Sequence, residues 1–283
     1  MATFTATGYL NRDGTMLHMV TVSTINVNGI RATAKKGFPQ WLESTSADVV
    51  LLQEVRAEET QVPAAVSGAA GWQWQWAPSQ VAKGRAGVAI GTKTTPEATR
   101  IGFNSEEFDT SGRYLEIDLP GLTVGSLYLP SGETGTPRQD EKMRFLDEFG
   151  TYLRQQKTAA EKTGRHFLVA GDFNIAHTEA DLKNWRGNKK TSGFLPEERA
   201  WLTDLYTDEF VDVVRALHPD QDGPYSWWSY RGKAFDNNAG WRIDVHLATP
   251  SLAQTAREAH VEKDPSYDTR MSDHAPVTVT YDI

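Results

Sequence analysis

The sequence predicts a single domain of the α/β or α+β class. Apolar strands and amphipathic helices alternate irregularly along 283 residues, and no Gly/Ser-rich or Pro-rich linker divides them. With 39% hydrophobic, 10% aromatic and 23% charged residues, the composition is that of an ordinary globular protein, which excludes fibrous and disordered classes. A chain of this length can bury a sizeable core.

The first half of the chain contains three predicted strands and one short helix. Residues 19–27 alternate apolar and polar side chains, which predicts a half-buried strand ending at the Asn28-Gly29 turn. Residues 38–45 predict a short helix, and the Val- and Leu-rich residues 48–54 predict a buried strand with a polar end. Further along, Trp72, Trp74 and Trp76 alternate with glutamine, so we expect three indoles to pack on one face of a strand.

In the second half, residues 122–129 predict a strand that breaks at a proline. Residues 138–160 predict an amphipathic helix, because apolar side chains recur there at spacings of three, three and four. Further strands are predicted at 166–170, 243–248 and 276–281, with another helix near 196–206.

Several classes of protein are excluded by what the sequence lacks. The chain has no cysteine, which rules out disulfides, a thiolate nucleophile, Cys-type zinc sites and iron–sulfur clusters. The longest aliphatic runs are far too short to span a membrane. Residues 1–18 are polar where a signal peptide needs an apolar region, so we expect a loose leader ahead of one domain over 19–283. We therefore expect a cytoplasmic protein, associated with the nucleoid if the source is bacterial.

The charge distribution is uneven. The net charge is −8 and the pI is near 5.4, which taken alone argues against a nucleic-acid-binding protein. However, residues 31–36, 80–85, 182–193 and 231–242 carry net charges of +3, +2, +4 and +2, so the rest of the chain must carry −19. The positive charge is thus concentrated in four loops, each of which, taken alone, would be interpreted as a solvated loop.

Polar side chains interrupt or follow apolar strands at six places. They are Asn26 with Asn28, Gln53 with Glu54, Tyr128, Asp172 with Asn174, Asp244, and Asp273 with His274. Carboxylate and amide oxygens suit a hard cation such as Mg²⁺ or Mn²⁺. The other six histidines show no zinc-binding spacing.

Seven motifs containing these residues resemble, in order, those of the exonuclease III family of apurinic/apyrimidinic (AP) endonucleases. They are NVNGIRA (26–32), LQE (52–54), YLP (128–130), GDFNIAH (171–177), GNKK (187–190), GWRID (240–244) and SDHAP (272–276). The resemblance covers residues 19–283 and implies a four-layer α/β/β/α sandwich of two packed mixed β-sheets with helices outside. It also implies metal-dependent cleavage of double-stranded DNA 5′ to abasic sites, 3′–5′ exonuclease and 3′-phosphatase activities on blocked ends, and a monomer.

The resemblance assigns roles to the motif residues. Asp172 would activate water, Asn174 would contact a phosphoryl oxygen, and Tyr128 would stabilise the leaving group. Asp244 would orient His274 against the scissile phosphate, and Asn26 would hold the carboxylates. The implied Mg²⁺ ligands, with Mn²⁺ as a substitute, are centred on Glu54 and drawn from Asn28, Glu54, Asp172, Asn174, Asp273 and His274. Family members often have Asp at the position of Asn28. Asn at this position removes one negative charge from the site.

The resemblance also indicates how DNA would be held. The residues implied to contact DNA are Arg31, Lys36, Asn184, Asn188, Lys190 and Arg231. A small apolar pocket for a flipped-out abasic sugar would be formed by Trp227, Trp241 and Ile243.

Two alternatives remain open on the sequence. One is another enzyme of the same superfamily, such as a phosphoinositide phosphatase, a sphingomyelinase or a non-specific DNase I-like nuclease. Such enzymes usually carry a second catalytic histidine where this chain has Tyr128, and no histidine occurs between His18 and His166. The other is a DNA- or partner-binding module without catalysis, which the change to Asn28 keeps open.

Overall fold

The computed structural model describes residues 8–10, 16–207 and 209–283, in which two mixed β-sheets pack face to face. Their strands are β1 Gly8–Leu10, β2 Met16–Asn26, β3 Val49–Gln53, β4 Gln73–Ala77, β5 Val88–Thr92, β6 Ala98–Ile101, β7 Tyr114–Leu119, β8 Leu122–Tyr128, β9 His166–Asp172, β10 Val211–Asp212, β11 Asp244–Ala248, β12 Ala256–Val261 and β13 Val277–Asp282. One sheet has the order β12-β13-β2-β3-β5-β4, with β1 beside β2, and the other has the order β10-β11-β9-β8-β7-β6. The pairs β2–β3 and β8–β9 are parallel, and the others are antiparallel.

The core lies between the sheets. Val22, Leu51 and Ile90 from one sheet form a single buried cluster with Ile117 and Leu168 from the other. A side-chain hydrogen bond from Gln53 Nε2 to Ser126 Oγ, at 3.0 Å, also joins the two sheets. The facing surfaces are therefore fixed to each other by apolar packing and by a buried polar contact.

Helices cover both outer faces. They are α1 Ile30–Ala34, α2 Phe38–Ser44, α3 Ala64–Ser67, α4 Pro137–Thr163, α5 Trp185–Asn188, α6 Pro196–Tyr206, α7 Val213–Leu217 and α8 Pro250–Ala253. The first three pack on the outside of the β2-containing sheet, and α4 packs Phe145, Phe149 and Leu153 against the outside of β9. This arrangement confirms the predicted four layers.

The predicted strands and helices all occur, with ends shifted by a few residues at most. The elements that were not predicted are the strands β1, β5, β6, β7, β10 and β12 and the short helices α1, α3, α5, α7 and α8. In β7 the pattern is hidden by Glu116, which is fully buried because Tyr114 Oη donates to it at 2.6 Å and Arg100 Nε at 2.5 Å. Trp72, Trp74 and Trp76 stack on one another with ring centroids 6.1 and 5.0 Å apart and pack beside the core, as expected.

The segment 1–18, for which a loose leader is expected, contains one short strand, β1. β1 pairs with residues 16–18, because β2 extends three residues beyond the predicted start and offers its edge to a second strand. Residues 1–7 and 11–15 lie outside the described residues. Among the helices described, none combines the length and apolar character needed to cross a membrane.

Candidate active site

The six polar strand ends meet at one edge of the sandwich. The parallel pair β2–β3 ends there at Asn26 and Gln53, and the parallel pair β8–β9 ends at Tyr128 and Asp172. β11 runs antiparallel to β9, so its first residue, Asp244, lies opposite Asp172. β13 is likewise antiparallel to β2 and begins at the same edge, directly after the segment that carries Asp273 and His274. The topology thus brings together residues more than 200 positions apart.

This edge forms a cleft of about 730 Å³. The predicted residues that line it are Asn28, Glu54, Tyr128, Asp172, Asn174, Lys190, Trp227, Trp241, Ile243, Asp273 and His274. Asn26 and Asp244 are fully buried and support the wall through hydrogen bonds.

Asn26 links the two carboxylate-bearing strands. Its Nδ2 donates to Glu54 Oε1 at 2.9 Å and to Asp172 Oδ2 at 2.8 Å, while its Oδ1 accepts from the backbone N of Asn28 at 2.9 Å. Asn28 and Glu54 both have left-handed backbones, with φ of 46° and 50°. The predicted role of Asn26 in holding the carboxylates has a direct geometric basis in these contacts.

The GDFN segment places Asp172 and Asn174 through a constrained backbone. Gly171 has φ of 152°, and a Cβ there would lie 2.0 Å from the carbonyl oxygen of Leu127, so only glycine fits. The backbone N of Asn174 donates to Asp172 Oδ1 at 2.9 Å, and its Nδ2 donates to Leu129 O at 2.8 Å. Burial raises the pKa of Asp172, although the nearby His274 opposes the shift.

His274 lies between two carboxylates. Its Nδ1 is 2.9 Å from Asp244 Oδ2, and its Nε2 is 3.8 Å from Asp172 Oδ2. Burial disfavours the imidazolium, but attraction and the hydrogen bond to Asp244 outweigh burial and raise the pKa of His274. The ring is therefore oriented by Asp244, whose negative charge favours the imidazolium form.

Asp273 is held ionised. Burial opposes its charge, but attraction to His274 and hydrogen bonds from Asn28 Nδ2 (2.9 Å) and Trp227 Nε1 (3.1 Å) lower its pKa. Across the cleft, burial raises the pKa of Tyr128, so its hydroxyl remains a hydrogen-bond donor. The cleft thus offers both negative oxygens and a proton donor.

A hard cation fits the donor set. The carboxylates of Glu54 and Asp273 and the amide oxygen of Asn28 are the oxygen ligands that Mg²⁺ and Mn²⁺ prefer. In the described ranges, no three His, Asp or Glu side chains are grouped so that they could hold an ion by themselves. The donor set therefore depends on Asn28, which already bonds to Asp273. Arg56, which forms an ion pair with Glu54, was missed by sequence reasoning although it lies two residues beyond it.

The predicted apolar pocket forms one wall of the cleft. The Trp227 and Trp241 rings meet edge to face with centroids 6.1 Å apart, and Trp227 is 6.4 Å from the His274 ring. Both indoles are half-buried, and Ile243 is buried beside them. The pocket and the buried histidine are therefore neighbours.

Among the predicted DNA-contacting residues, Lys190 lines the cleft. Arg31 and Lys36 line a second cavity of about 620 Å³, and Arg231 is exposed. Asn184 is exposed, and Asn188 Nδ2 donates to its carbonyl at 2.9 Å.

The prediction of a basic 231–242 loop needs one correction, which concerns Arg242. Its side chain is buried because Nε pairs with Asp181 at 2.6 Å and Nη2 with Asp212 at 2.7 Å. Arg242 therefore contributes no positive charge to the surface of that loop.

Comparisons with known proteins agree with this geometry. A sequence profile of the "Endonuclease/Exonuclease/phosphatase family" matches residues 23–274. The chain is 33% identical to a DNA repair nuclease, APEX1, of Danio rerio over 95% of this chain and 84% of that protein. It is 34% identical to an exodeoxyribonuclease of Bacillus subtilis over 91% and 98%. It also superposes, with a TM-score of 0.83 and 27% identity over 93% of this chain and 100% of the other, on a 3′ phosphatase, NExo, from Neisseria solved with a product DNA hairpin. The chain belongs to the endonuclease/exonuclease/phosphatase family.

Proposed function

We propose that this protein is a DNA repair nuclease that hydrolyses the phosphodiester 5′ to an abasic site in double-stranded DNA. It would also remove nucleotides and phosphate groups from 3′ ends. The observation that supports this most strongly is the juxtaposition, in one cleft, of the Asp172–His274–Asp244 series with the Trp227, Trp241 and Ile243 wall. The similarity to nucleases named for DNA repair and for exonuclease activity supports DNA as the substrate.

Different residues of the cleft would carry out different steps of the hydrolysis. Asp172, whose raised pKa makes it a better base than an exposed carboxylate, takes a proton from water as the oxygen attacks phosphorus. Asn174 and protonated His274 hold the phosphoryl oxygens, where negative charge grows. Tyr128 donates a proton to the departing 3′ oxygen. The P–O3′ bond breaks, which leaves a 3′ hydroxyl and a 5′ phosphate on the abasic sugar.

Enzymes of this family depend on a divalent metal ion, and we propose Mg²⁺ here, with Mn²⁺ as a substitute. Glu54, Asp273 and Asn28 would hold it at the mouth of the cleft. When bound, the ion would supply positive charge that offsets the negative charge of the phosphate oxygens. The remaining predicted ligands, Asp172, Asn174 and His274, would serve mainly in proton transfer and phosphate binding.

The pocket wall of Trp227, Trp241 and Ile243 would select an abasic site over an intact nucleotide. A flipped-out sugar without a base can pack against Trp227 and Trp241, and extrusion costs least where no base is stacked or paired. Arg31, Lys36, Asn184, Asn188, Lys190 and Arg231 would hold the phosphates of the duplex without reading the sequence. In this proposal the protein acts as a monomer in the cytoplasm.

One assay tests the proposal. The protein is incubated with a duplex oligonucleotide carrying one abasic analogue, with Mg²⁺ or with EDTA, and the products are separated on a denaturing gel. We expect a single cut 5′ to the analogue, with a 3′ hydroxyl product, in Mg²⁺ only. Release of phosphate from phosphoinositides without DNA cleavage would overturn the proposal in favour of another enzyme of the superfamily.

A further inference from the structure

A fully buried ion pair lies behind the cleft and belongs to none of the roles above. Lys142 projects from α4 and Glu198 from α6, and both side chains are completely inaccessible to solvent. Lys142 Nζ lies 2.8 Å from Glu198 Oε1. A buried pair pays a large desolvation penalty, and well-packed apolar side chains often stabilise a protein as much, so stability alone does not explain it.

The lysine holds two backbone carbonyls of the cleft wall. Its Nζ donates to Asn174 O at 2.9 Å and lies 3.3 Å from Ser131 O. Asn174 has a left-handed backbone with φ of 48°, a conformation that persists only when its surroundings fix it. Lys142 supplies one of these constraints from behind, while the side chain of Asn174 stays at the cleft.

The glutamate holds the loop on the opposite side. Glu198 Oε2 accepts from the backbone N of Gly193 at 2.7 Å and of Leu195 at 3.0 Å, and Oε1 lies 3.1 Å from Ser192 Oγ. Gln139 Nε2 donates to the same carboxylate at 2.9 Å. Both oxygens of this carboxylate are therefore engaged, and three of their contacts fix the short segment 192–195.

These two sets of contacts meet at the cleft. Ser192 Oγ lies 2.7 Å from Ser131 O, and the backbone N of Ala176 donates to Gly193 O at 2.8 Å. A Cβ on Gly193 would lie 3.1 Å from both Asn174 O and the Trp241 ring, so the segment is packed closely against both. Displacing it would therefore move the residues around the scissile phosphate.

We propose that Lys142 and Glu198 form a positioning unit that sets the backbone of Asn174 and of residues 192–195 for the cleavage reaction. The inference rests on the proposed function, because it assigns Asn174 and this loop to the bound phosphate. Neither residue touches substrate, and both act through the backbone groups they hold. Misplacing a catalytic group by about 1 Å can cost roughly 10²-fold in rate.

The test is the double substitution Lys142→Met with Glu198→Gln. It removes both charges together, leaves no unpaired buried charge, and keeps an amide oxygen for the backbone N–H groups of Gly193 and Leu195. Single-turnover incision of an abasic duplex should slow by about 10- to 100-fold. The dissociation constant for the duplex, measured with Ca²⁺, should change by less than about threefold, because the double variant keeps every positive side chain of the exposed basic loops.

Two further variants separate positioning from folding. Lys157→Met, on the same helix, removes the half-buried partner of the exposed Glu161 and should leave the rate unchanged. Lys142→Arg keeps the charge but replaces the compact ammonium with a larger planar group, so its incision rate should fall below that of the wild type and stay above that of the double variant. It also carries the test if the double variant does not fold, and a wild-type rate for Lys142→Arg would then overturn the proposal.

Hydrogen exchange gives a readout that does not require activity. The amides of Gly193 and Leu195 should exchange faster in the double variant, and the rest of α4 should keep its protection. Wild-type incision and wild-type exchange in the folded double variant would overturn the positioning role. Absence of incision by the wild type would refute the proposed function instead, and the exchange measurement would still decide whether the pair fixes the loop.

Discussion

The buried pair of His274 and Asp244 gives the sharpest test of the catalytic assignments. Asp244→Asn keeps the shape of the side chain but removes its charge and replaces one of the two carboxylate oxygens, of which Oδ2 lies 2.9 Å from His274 Nδ1, with an NH₂ group. An amide that presents its NH₂ group to the ring cannot accept a hydrogen bond from Nδ1–H, so the ring would lose its fixed orientation. The charge that outweighs burial would also be lost, so the pKa of His274 should fall.

We expect this substitution to have two effects, one on stability and one on kcat. Removing one partner of a buried ion pair costs about 3–5 kcal/mol, because the other charge is left uncompensated. Loss of an oriented, protonated histidine at the phosphate should lower kcat by about 10² to 10⁴, the range seen for positioned acid–base groups and for a carboxylate behind a histidine.

The pH dependence of stability has a definite sign. The folded-state pKa of His274 is raised above its ordinary value of about 6.5, so the pair stabilises the fold fully below that pH. This stabilisation is lost as the pH rises through the folded-state pKa. In the Asp244→Asn variant, folding no longer raises the pKa of His274. The free energy of unfolding of this variant should therefore fall less than that of the wild type as the pH rises above 7.

The assay combines single-turnover incision with chemical denaturation across this pH range. Asp118→Asn is the control, since it removes a carboxylate of β7 that pairs with Arg100 on β6, away from the cleft. The control should retain wild-type kcat. An Asp244→Asn protein with kcat within tenfold of wild type and an unchanged alkaline stability profile would show that Asp244 neither orients nor charges His274.

Four further substitutions test other parts of the site. Glu54→Ala should abolish Mg²⁺-dependent incision and weaken Mn²⁺ binding measured by calorimetry; full activity would exclude it as a ligand. Asp172→Asn should lower kcat more than tenfold without weakening duplex binding by anisotropy, and a larger residual kcat would assign the base elsewhere. Trp241→Ala should reduce abasic incision more than exonuclease digestion, whereas equal losses would return the indole to a packing role. Lys190→Gln should flatten the plot of log K against log salt by about 0.9, more than Lys189→Gln, whose ammonium lies 4.7 Å from an indole ring; equal slopes would contradict this distinction.

The residues of the site were predictable because each follows or precedes a strand within a short local motif. Asn26 ends a strand rich in β-branched residues and Asp172 ends an apolar one, so their positions at a sheet edge follow from local sequence. The pairing of Lys142 with Glu198 was not predictable in this way. Helix periodicity assigns neither residue to a buried ion pair, and the contact joins positions 56 apart through two helices and a loop.

The strands that were missed show a related limit. β7 reads YLEIDL, and its two acidic residues weaken the apolar pattern that predicts a buried strand. Glu116 is buried only because Tyr114 and Arg100 satisfy it, and Arg100 comes from the neighbouring strand β6. A sequence pattern records the side chain but not the partner that permits its burial.

Arg242 shows that a buried partner also changes the positive charge that an acidic protein presents to a polyanion such as DNA. Its charge was counted in a basic loop, but Asp181 and Asp212 neutralise it in the interior. The other cations of the four basic loops are exposed, so these loops still present +10 on a chain whose total is −8. Because salt screens charges beyond about 10 Å at 0.1 M, a phosphate near these loops responds to them more than to distant acidic residues. Duplex binding should therefore follow the local positive charge, and it should weaken steeply with salt although the protein as a whole is negative.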